Sequence, residues 1–193
     1  MMKITEAITM RRTIRKYKQH EIPEEILKNL VNAARLAPSA MNKQPLEYAI
    51  ITDPVLRERI FENVGWAGYI APRGNPQKGE RPVAYILILI RKELKSAYTS
   101  HDIGAAAQNL MLQAMEYDIG SCWLGSLNRQ KVAEILNVPE VYEVDTLIAL
   151  GYKDEAAEYF DTDETVKYDK VDEKYRVPKR RLESIIHMNK FSS

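Results

Sequence analysis

The apolar positions of the chain follow two periods. Ile26, Leu27, Leu30, Val31 and Ala34 recur at the spacing of one helix face. Pro23, Glu24 and Glu25 supply the start of that helix, with acids in its first turn. Pro38 stops it, and Pro38 to Pro45 reads as a loop. Upstream, Ile4 to Met10 forms a short amphipathic helix. Leu46 to Thr52 reads as a strand, and Asp53-Pro54 caps a helix running to about Asn63. Val83 to Ile90 is a continuous apolar run, which predicts a strand buried on both faces. A helix starts at Ser100 or Asp102 and is apolar nearly all round from Ile103 to Met115, so it belongs in a core or a subunit interface. A short strand (Cys122 to Leu124), an amphipathic helix (Asn128 to Leu136) and a last clear strand (Val144 to Leu150) follow. A final helix is predicted from about Lys179 to His187. Strands interleaved with helices give a mixed α and β domain, read as one unit over residues 1–193.

Between these elements, Gly65 to Pro82 is irregular, with four of the eight glycines. Asp154 to Glu173 holds nine acids against two lysines, whereas Lys174 to Arg181 holds five basic residues and no acid. The totals nearly cancel: 28 Lys and Arg against 27 Asp and Glu, a formal net charge of +1. Charge is therefore segregated but not in excess, which argues against a general nucleic-acid binder. An apolar share of 45% suits a folded protein. The single cysteine, Cys122, excludes an intrachain disulfide, points to a reducing compartment, and by its apolar setting reads as a core residue. The N-terminus, Met1 to Arg12, has no apolar run of signal-peptide length, and the longest apolar stretch, Val83 to Ile90, is too short to span a bilayer, so the cytoplasm is expected and a membrane partner is not.

Several familiar chemistries are missing. There is no Gly-x-Gly-x-x-Gly, and Gly120 to Gly125 continues with Ser126-Leu127 where a phosphate loop needs Lys-Ser/Thr. His20, His101 and His187 are scattered, and with one cysteine no zinc site is expected. There is no Gly-x-Ser-x-Gly elbow.

Three segments carry candidate chemistry. Arg11, Arg12 and Arg15 offer planar, permanently charged donors suited to phosphate, the Thr13 hydroxyl adds a neutral donor, and Lys179-Arg180-Arg181 forms a second basic group at the far end of the chain. The two could converge on one phosphate, or each could be solvated surface charge. In the loop, Pro38, Ser39 and Ala40 are small enough for a flat ligand to approach the backbone, and Asn42 and Gln44 bring donors and acceptors; an ordinary connector is the other reading. At a strand end, Leu124, Gly125 and Ser126 could present a backbone N–H to a ligand, or make a simple turn.

Arg11-Arg12-Thr13-Ile14-Arg15-Lys16-Tyr17, Ala34-Arg35-Leu36-Ala37-Pro38-Ser39-Ala40-Met41-Asn42-Lys43-Gln44-Pro45, Asp102-Ile103-Gly104-Ala105-Ala106-Ala107-Gln108-Asn109-Leu110, Cys122-Trp123-Leu124-Gly125, Leu147-Ile148-Ala149-Leu150-Gly151-Tyr152 and Lys179-Arg180-Arg181-Leu182-Glu183 together resemble the FMN-dependent nitroreductase family, in order along nearly the whole chain. The resemblance implies an α+β fold with a central mixed, mostly antiparallel sheet flanked by helices, dimeric, with FMN between subunits. It implies Arg11, Arg12, Thr13 and Arg15 at the phosphate or ring, helped by Lys179, Arg180 or Arg181. It implies Pro38, Ser39 and Ala40 against the isoalloxazine, Asn42 and Gln44 at its polar edge, and a donor from Leu124, Gly125 or Ser126 near N5. Leu46 departs from the aromatic residue common after Gln-Pro, and Thr13 from a common serine. Gly65 to Pro82 has no counterpart, so Arg73, Lys78 and Arg81 are only candidates for a flavin contact.

On this reading no catalytic side chain is required, since a flavin carries the redox chemistry. The expected activity is hydride transfer from NAD(P)H to nitroaromatic, quinone or similar small acceptors by a ping-pong cycle, in a homodimer. The alternatives are a narrower flavin enzyme, for reductive dehalogenation or cofactor metabolism, and a noncatalytic phosphate-ligand module.

Overall fold

A computed structural model describes residues 2–191. In chain order its elements are α1 (Ile4–Met10), β1 (Tyr17–Lys18), α2 (Glu24–Arg35), β2 (Leu46–Ile51), α3 (Pro54–Phe61), β3 (Ala84–Arg91), α4 (Thr99–Glu116), β4 (Ile119–Leu124), α5 (Arg129–Leu136), β5 (Tyr142–Lys153), β6 (Ala156–Asp161), β7 (Asp169–Val171) and β8 (Lys174–Lys179). Asp53 caps α3 by accepting from Leu56 N at 2.9 Å, and Asn128 caps α5 by accepting from Lys131 N at 3.1 Å.

β5 is the hub of the larger sheet. It pairs with β3, β4 and, at its far end, β1, while β2 pairs with β3, all antiparallel. Among the described residues, parallel character enters only at the Thr13–Ser121 bridge to β4 and in the smaller sheet, where β6 runs parallel to β8 and β7 antiparallel to it. The α+β architecture with an antiparallel sheet and flanking helices is as expected.

The predicted double burial of β3 has a simple origin. Ile86 and Ile88 face α2 and α4, where they meet Leu27, Leu30, Ala107, Leu110 and Ala114. Tyr85 and Leu87 face the other way, onto Ile60, Trp66, Val132 and Ile135. Alternate positions thus serve two separate cores. Cys122 lies in the second of these, and burial pushes its thiol up to about 11, so it is an inert core residue.

One expectation fails in the last third of the chain. The helix predicted from Lys179 to His187 is absent: β8 runs through Lys179, and only a short 3-10 turn forms at Leu182–Ser184. Leu182, Ile185 and Ile186 have helical spacing but are all more than half exposed, so no apolar surface rewards a helix there. The acidic and basic segments instead pair as strands. Glu158 on β6 lies opposite Arg176 on β8 and forms ion pairs with Lys174 and Arg176.

After α1 the chain runs as an extended strap from Arg11 to Tyr17. Ile14 N donates to Ser121 O at 3.0 Å and Tyr17 N to Glu80 O at 2.9 Å. The strap lies on a cross-strand glycine pair, Gly120 opposite Gly151. A Cβ on Gly120 would stand 2.8 Å from Ile14, and one on Gly151 would stand 2.7 Å from Tyr17. Both side chains are buried, and the Tyr17 hydroxyl donates to Ile14 O. Gly151→Ala should therefore overpack the Tyr17 seat and cost about 1–3 kcal/mol. The readout is a lower urea midpoint at unchanged slope, and a midpoint equal to wild type would contradict this packing.

Candidate functional site

With Ile14 and Tyr17 turned inward, the strap leaves its basic side chains and Thr13 to border a cavity. Arg11, Arg12, Thr13 and Arg15 line one wall of a cavity of about 100 Å³. Tyr175, Val177 and Lys179 line the facing wall, on alternate positions of β8 and so on one face of it. The two basic ends of the sequence do converge.

None of Arg11, Arg12, Arg15 and Lys179 makes a salt bridge among the described residues. Lys179 stands in register with Asp161 without pairing to it. Arg12 Nε and Arg15 Nε are buried with no acceptor. Burial, then the neighbouring Arg12 charge, depress the Arg11 pKa. Aromatic rings brace the cluster: Arg12 lies 4.6 Å from the Tyr159 ring centroid, and Arg15 lies 5.1 and 5.3 Å from those of Tyr168 and Tyr175. Glu155 accepts from the backbone N–H groups of Arg15 (2.5 Å) and Lys16 (3.3 Å), so it fixes the strap by its main chain. Burial raises the Glu155 pKa, while those hydrogen bonds act to lower it. The arrangement is a partly buried array of cations and unpaired donors with room for one small anion.

The other basic candidates are engaged elsewhere. Arg180 Nε faces Asp163 at 3.9 Å, and its Nη2 donates to Ser184 O at 3.0 Å. Arg181 donates its main-chain N–H to Asp163, and its side chain does not line the cavity. Arg73 and Arg81 pair with Asp169 and Glu58. Lys78 does not line the cavity either.

The loop after α2 forms a second, separate cavity of about 170 Å³, lined by Pro38, Ser39, Gln44, Leu46, Tyr48 and Asp102 among others. Its backbone is constrained: Met41, Asn42 and Gln44 hold left-handed φ values of 54°, 54° and 49°. Ser39 Oγ accepts from Gln44 N at 3.1 Å, and Asp102 Oδ1 on α4 accepts from Ala40 N at 2.9 Å. Asp102 is 4% exposed, with Oδ2 unpartnered. Burial pushes Tyr48 up to about 12, so it stays a neutral phenol. Such a run of non-glycine left-handed residues persists only where its surroundings enforce it, and it is often found at ligand sites.

The third candidate segment lies at the end of β4. Trp123 Nε1 donates to Thr146 Oγ1 at 2.8 Å, and Thr146 Oγ1 donates to Leu124 O at 2.7 Å, which fixes that end. Ser126 O accepts from Gly65 N at 2.8 Å, while a Cβ on Gly125 would meet nothing within 4 Å. Gly125 and Ser126 are exposed whereas Leu124 is buried in the second core, and none of the three lines either cavity.

Comparison with known proteins agrees with this framework. A sequence model of the nitroreductase family matches residues 8–152. The chain belongs to the nitroreductase family. It is 29% identical over 170 residues to a protein of Archaeoglobus fulgidus named as a candidate NADH dehydrogenase/NAD(P)H nitroreductase, covering 85% of this chain and 93% of that one. It is 25% identical over 170 residues to an iodotyrosine deiodinase of Thermotoga neapolitana, covering 81% and 91%. An FMN-dependent nitroreductase structure from Clostridium difficile R20291 superposes with a TM-score of 0.69 at 27% identity, covering 96% and 98%. The matched family region ends before β6, so Tyr175 and Lys179 lie outside it. Sequence reasoning missed Asp102, Glu155, Tyr159, Tyr168 and Tyr175 as site residues. The period-2 pattern of Lys174 to Lys179 was the signal for the last of these.

Asp102→Ala removes the acceptor of Ala40 N and should release the loop, at a cost of about 1–3 kcal/mol. Amide exchange at Ala40 should accelerate, and Asp102→Asn, which keeps an acceptor oxygen, should slow it again. Unchanged protection at Ala40 in the alanine variant would exclude this anchoring.

Proposed function

We propose that this chain is an FMN-dependent oxidoreductase that takes hydride from NAD(P)H and reduces nitroaromatic, quinone or similar small acceptors. The observation that carries the reading is the cavity between strap and β8, where four cations that make no salt bridge among the described residues meet in a nitroreductase-family chain. The residues present fit a phosphate monoester: its dianion would satisfy the orphaned Arg12 and Arg15 donors and neutralise the cluster. When bound, FMN supplies the two-electron chemistry, so the protein needs to supply only binding, orientation and electrostatics.

Arg11, Arg12, Thr13, Arg15 and Lys179 hold the phosphate in this reading. Arg180 and Arg181 contribute long-range positive potential. Pro38, Ser39 and Ala40 receive the flat ring, with Asn42 and Gln44 at its polar edge. Leu124, Gly125 and Ser126 border the reacting edge, where open space beside Gly125 leaves room for ligand. Donor and acceptor use that space in turn, which gives ping-pong kinetics.

The two cavities are distinct within one chain, and this favours a homodimer in which the loop of one protomer completes the site of the other. The surface suits it. Among α1, α2 and α4 lies a groove of about 730 Å³ lined by Ile4, Leu36, Asn109, Leu112 and others, with Ile4 77% and Leu36 64% exposed. This groove also uses the outer face of α4, whose Ala105 and Leu112 are only half-covered by the chain itself. No described helix is long and apolar enough to cross a membrane. With the buried thiol of Cys122, the cytoplasm is the compartment we favour. Resemblance to an iodotyrosine deiodinase favours reductive dehalogenation as the second reading.

The purified protein should be yellow, NAD(P)H should bleach it, and a quinone or nitroaromatic should restore the colour, with parallel double-reciprocal lines. Restoration by a halotyrosine alone would favour the second reading, and no bleaching would remove the oxidoreductase assignment. Arg11→Ala should cost about 1.5–3 kcal/mol of FMN binding, roughly ten- to a hundredfold in Kd. Riboflavin, which lacks the phosphate, should be unaffected. Equal losses for both ligands would make Arg11 structural.

A further inference from the structure

Tyr175 occupies the central strand of the small sheet, bonded through its strand to β6 on one side and β7 on the other. It stands in register with Ala157 and Lys170, so its ring is held on a rigid support. The residue is 1% exposed and lines the cavity between the strap and β8. Its ring lies 5.3 Å from the Arg15 guanidinium and 5.5 Å from the Lys170 ammonium. A phenylalanine would offer those cations the same aromatic face, so bracing them does not account for the oxygen.

The oxygen is buried and has no hydrogen-bond partner among the described residues. A buried hydroxyl left unpaired is costly, and such groups in folded proteins generally have a partner. The orphaned donors Arg12 Nε and Arg15 Nε belong to residues lining the same cavity. Burial raises the Tyr175 pKa, reinforced by Glu155 and opposed by the Arg15 guanidinium through its charge and its close approach to the hydroxyl, so the phenol is protonated at neutral pH.

We propose that Tyr175 is a further ligand-binding residue whose O–H donates to the phosphate held between the strap and β8. This rests on the reading that the phosphate is that of FMN. The roles divide by chemistry. Arginine and lysine supply charge, whereas Tyr175 supplies a neutral donor from a fixed ring, which selects a tetrahedral oxyanion seated deep enough to reach it.

The test is titration of flavin-free protein with FMN and with riboflavin, for wild type, Tyr175→Phe and Arg11→Ala. Tyr175→Phe should raise the FMN Kd by roughly tenfold, as expected for loss of a charge-assisted hydrogen bond. It should leave riboflavin within about twofold, because only the phosphate arm is lost. The flavin-free variant should melt no lower than wild type, because the change removes a group that has no partner there. A purely structural tyrosine would behave in the opposite way, with a lower Tm and equal losses for both ligands, and that result overturns the proposal. FMN affinity unchanged in Tyr175→Phe but selectively reduced in Arg11→Ala also overturns it, and leaves the FMN reading standing. Wild type that binds no FMN overturns both. Should Tyr175→Phe not fold, ζ-¹³C-tyrosine NMR of the wild type decides: FMN, and not riboflavin, should shift the Tyr175 resonance, and no shift contradicts the proposal.

Discussion

The strap from Arg11 to Tyr17 can lie flat on the sheet because no side chain stands at Gly120 or Gly151. These glycines face each other across β4 and β5, and Ile14 and Tyr17 fill the space where their Cβ atoms would be. Extended backbone does the rest. With Ile14 and Tyr17 packed inward, Thr13 and Arg15 on either side of Ile14 line the cavity, together with Arg11 and Arg12. A steric allowance inside the sheet thereby sets the direction of charges on its surface. Glu155 secures the same segment from the polar side through two main-chain N–H groups, leaving both arginine and lysine side chains free of that carboxylate.

Charge pairing elsewhere sharpens the contrast. The acidic and basic stretches of the C-terminal third partly neutralise each other, Glu158 pairing with Lys174 and Arg176 and Asp163 with Arg180, while Glu173 pairs with Lys170 inside the acidic stretch. Exposed pairs of this kind add little stability, typically about 0–1 kcal/mol each. Their consequence here is selection, since Lys179 and the strap arginines are left unneutralised around one cavity. Like charges a few ångströms apart repel by about 1 kcal/mol in water and by about 4 kcal/mol near a protein surface. The folded chain bears that repulsion in order to hold the array, and a doubly charged anion reverses its sign.

Much of this was legible in the sequence, for physical reasons that differ by element. β3 was legible because both its faces are buried, so every position is apolar. α4 was legible from small and apolar residues on nearly every side, and Asp53 from its position before Pro54. The convergence of Arg11–Arg15 with Lys179 was legible as chemistry, since like charges at opposite chain ends suggest a shared anion. The C-terminal strands were not. β6, β7 and β8 are short, half-exposed and charged, so their alternation is masked by ion-pairing side chains. Pro178 also argues against a strand, yet it is tolerated because β7 pairs only with Lys174 to Arg176, leaving β8 unpaired on that side at Pro178. Asp102 was hidden for another reason. Its partner is a main-chain N–H sixty-two residues away, a contact that no local pattern encodes.

The central claim is that the anion cavity between the strap and β8 receives the phosphate of FMN. A crystal structure of the protein grown with FMN tests this most directly. The account predicts phosphate oxygens within hydrogen-bond distance of Arg12, Arg15 and Lys179, in the cavity that Tyr175 also lines. A flavin whose phosphate lies in the Pro38–Gln44 loop cavity or in solvent, with the four cations uncontacted, would contradict it.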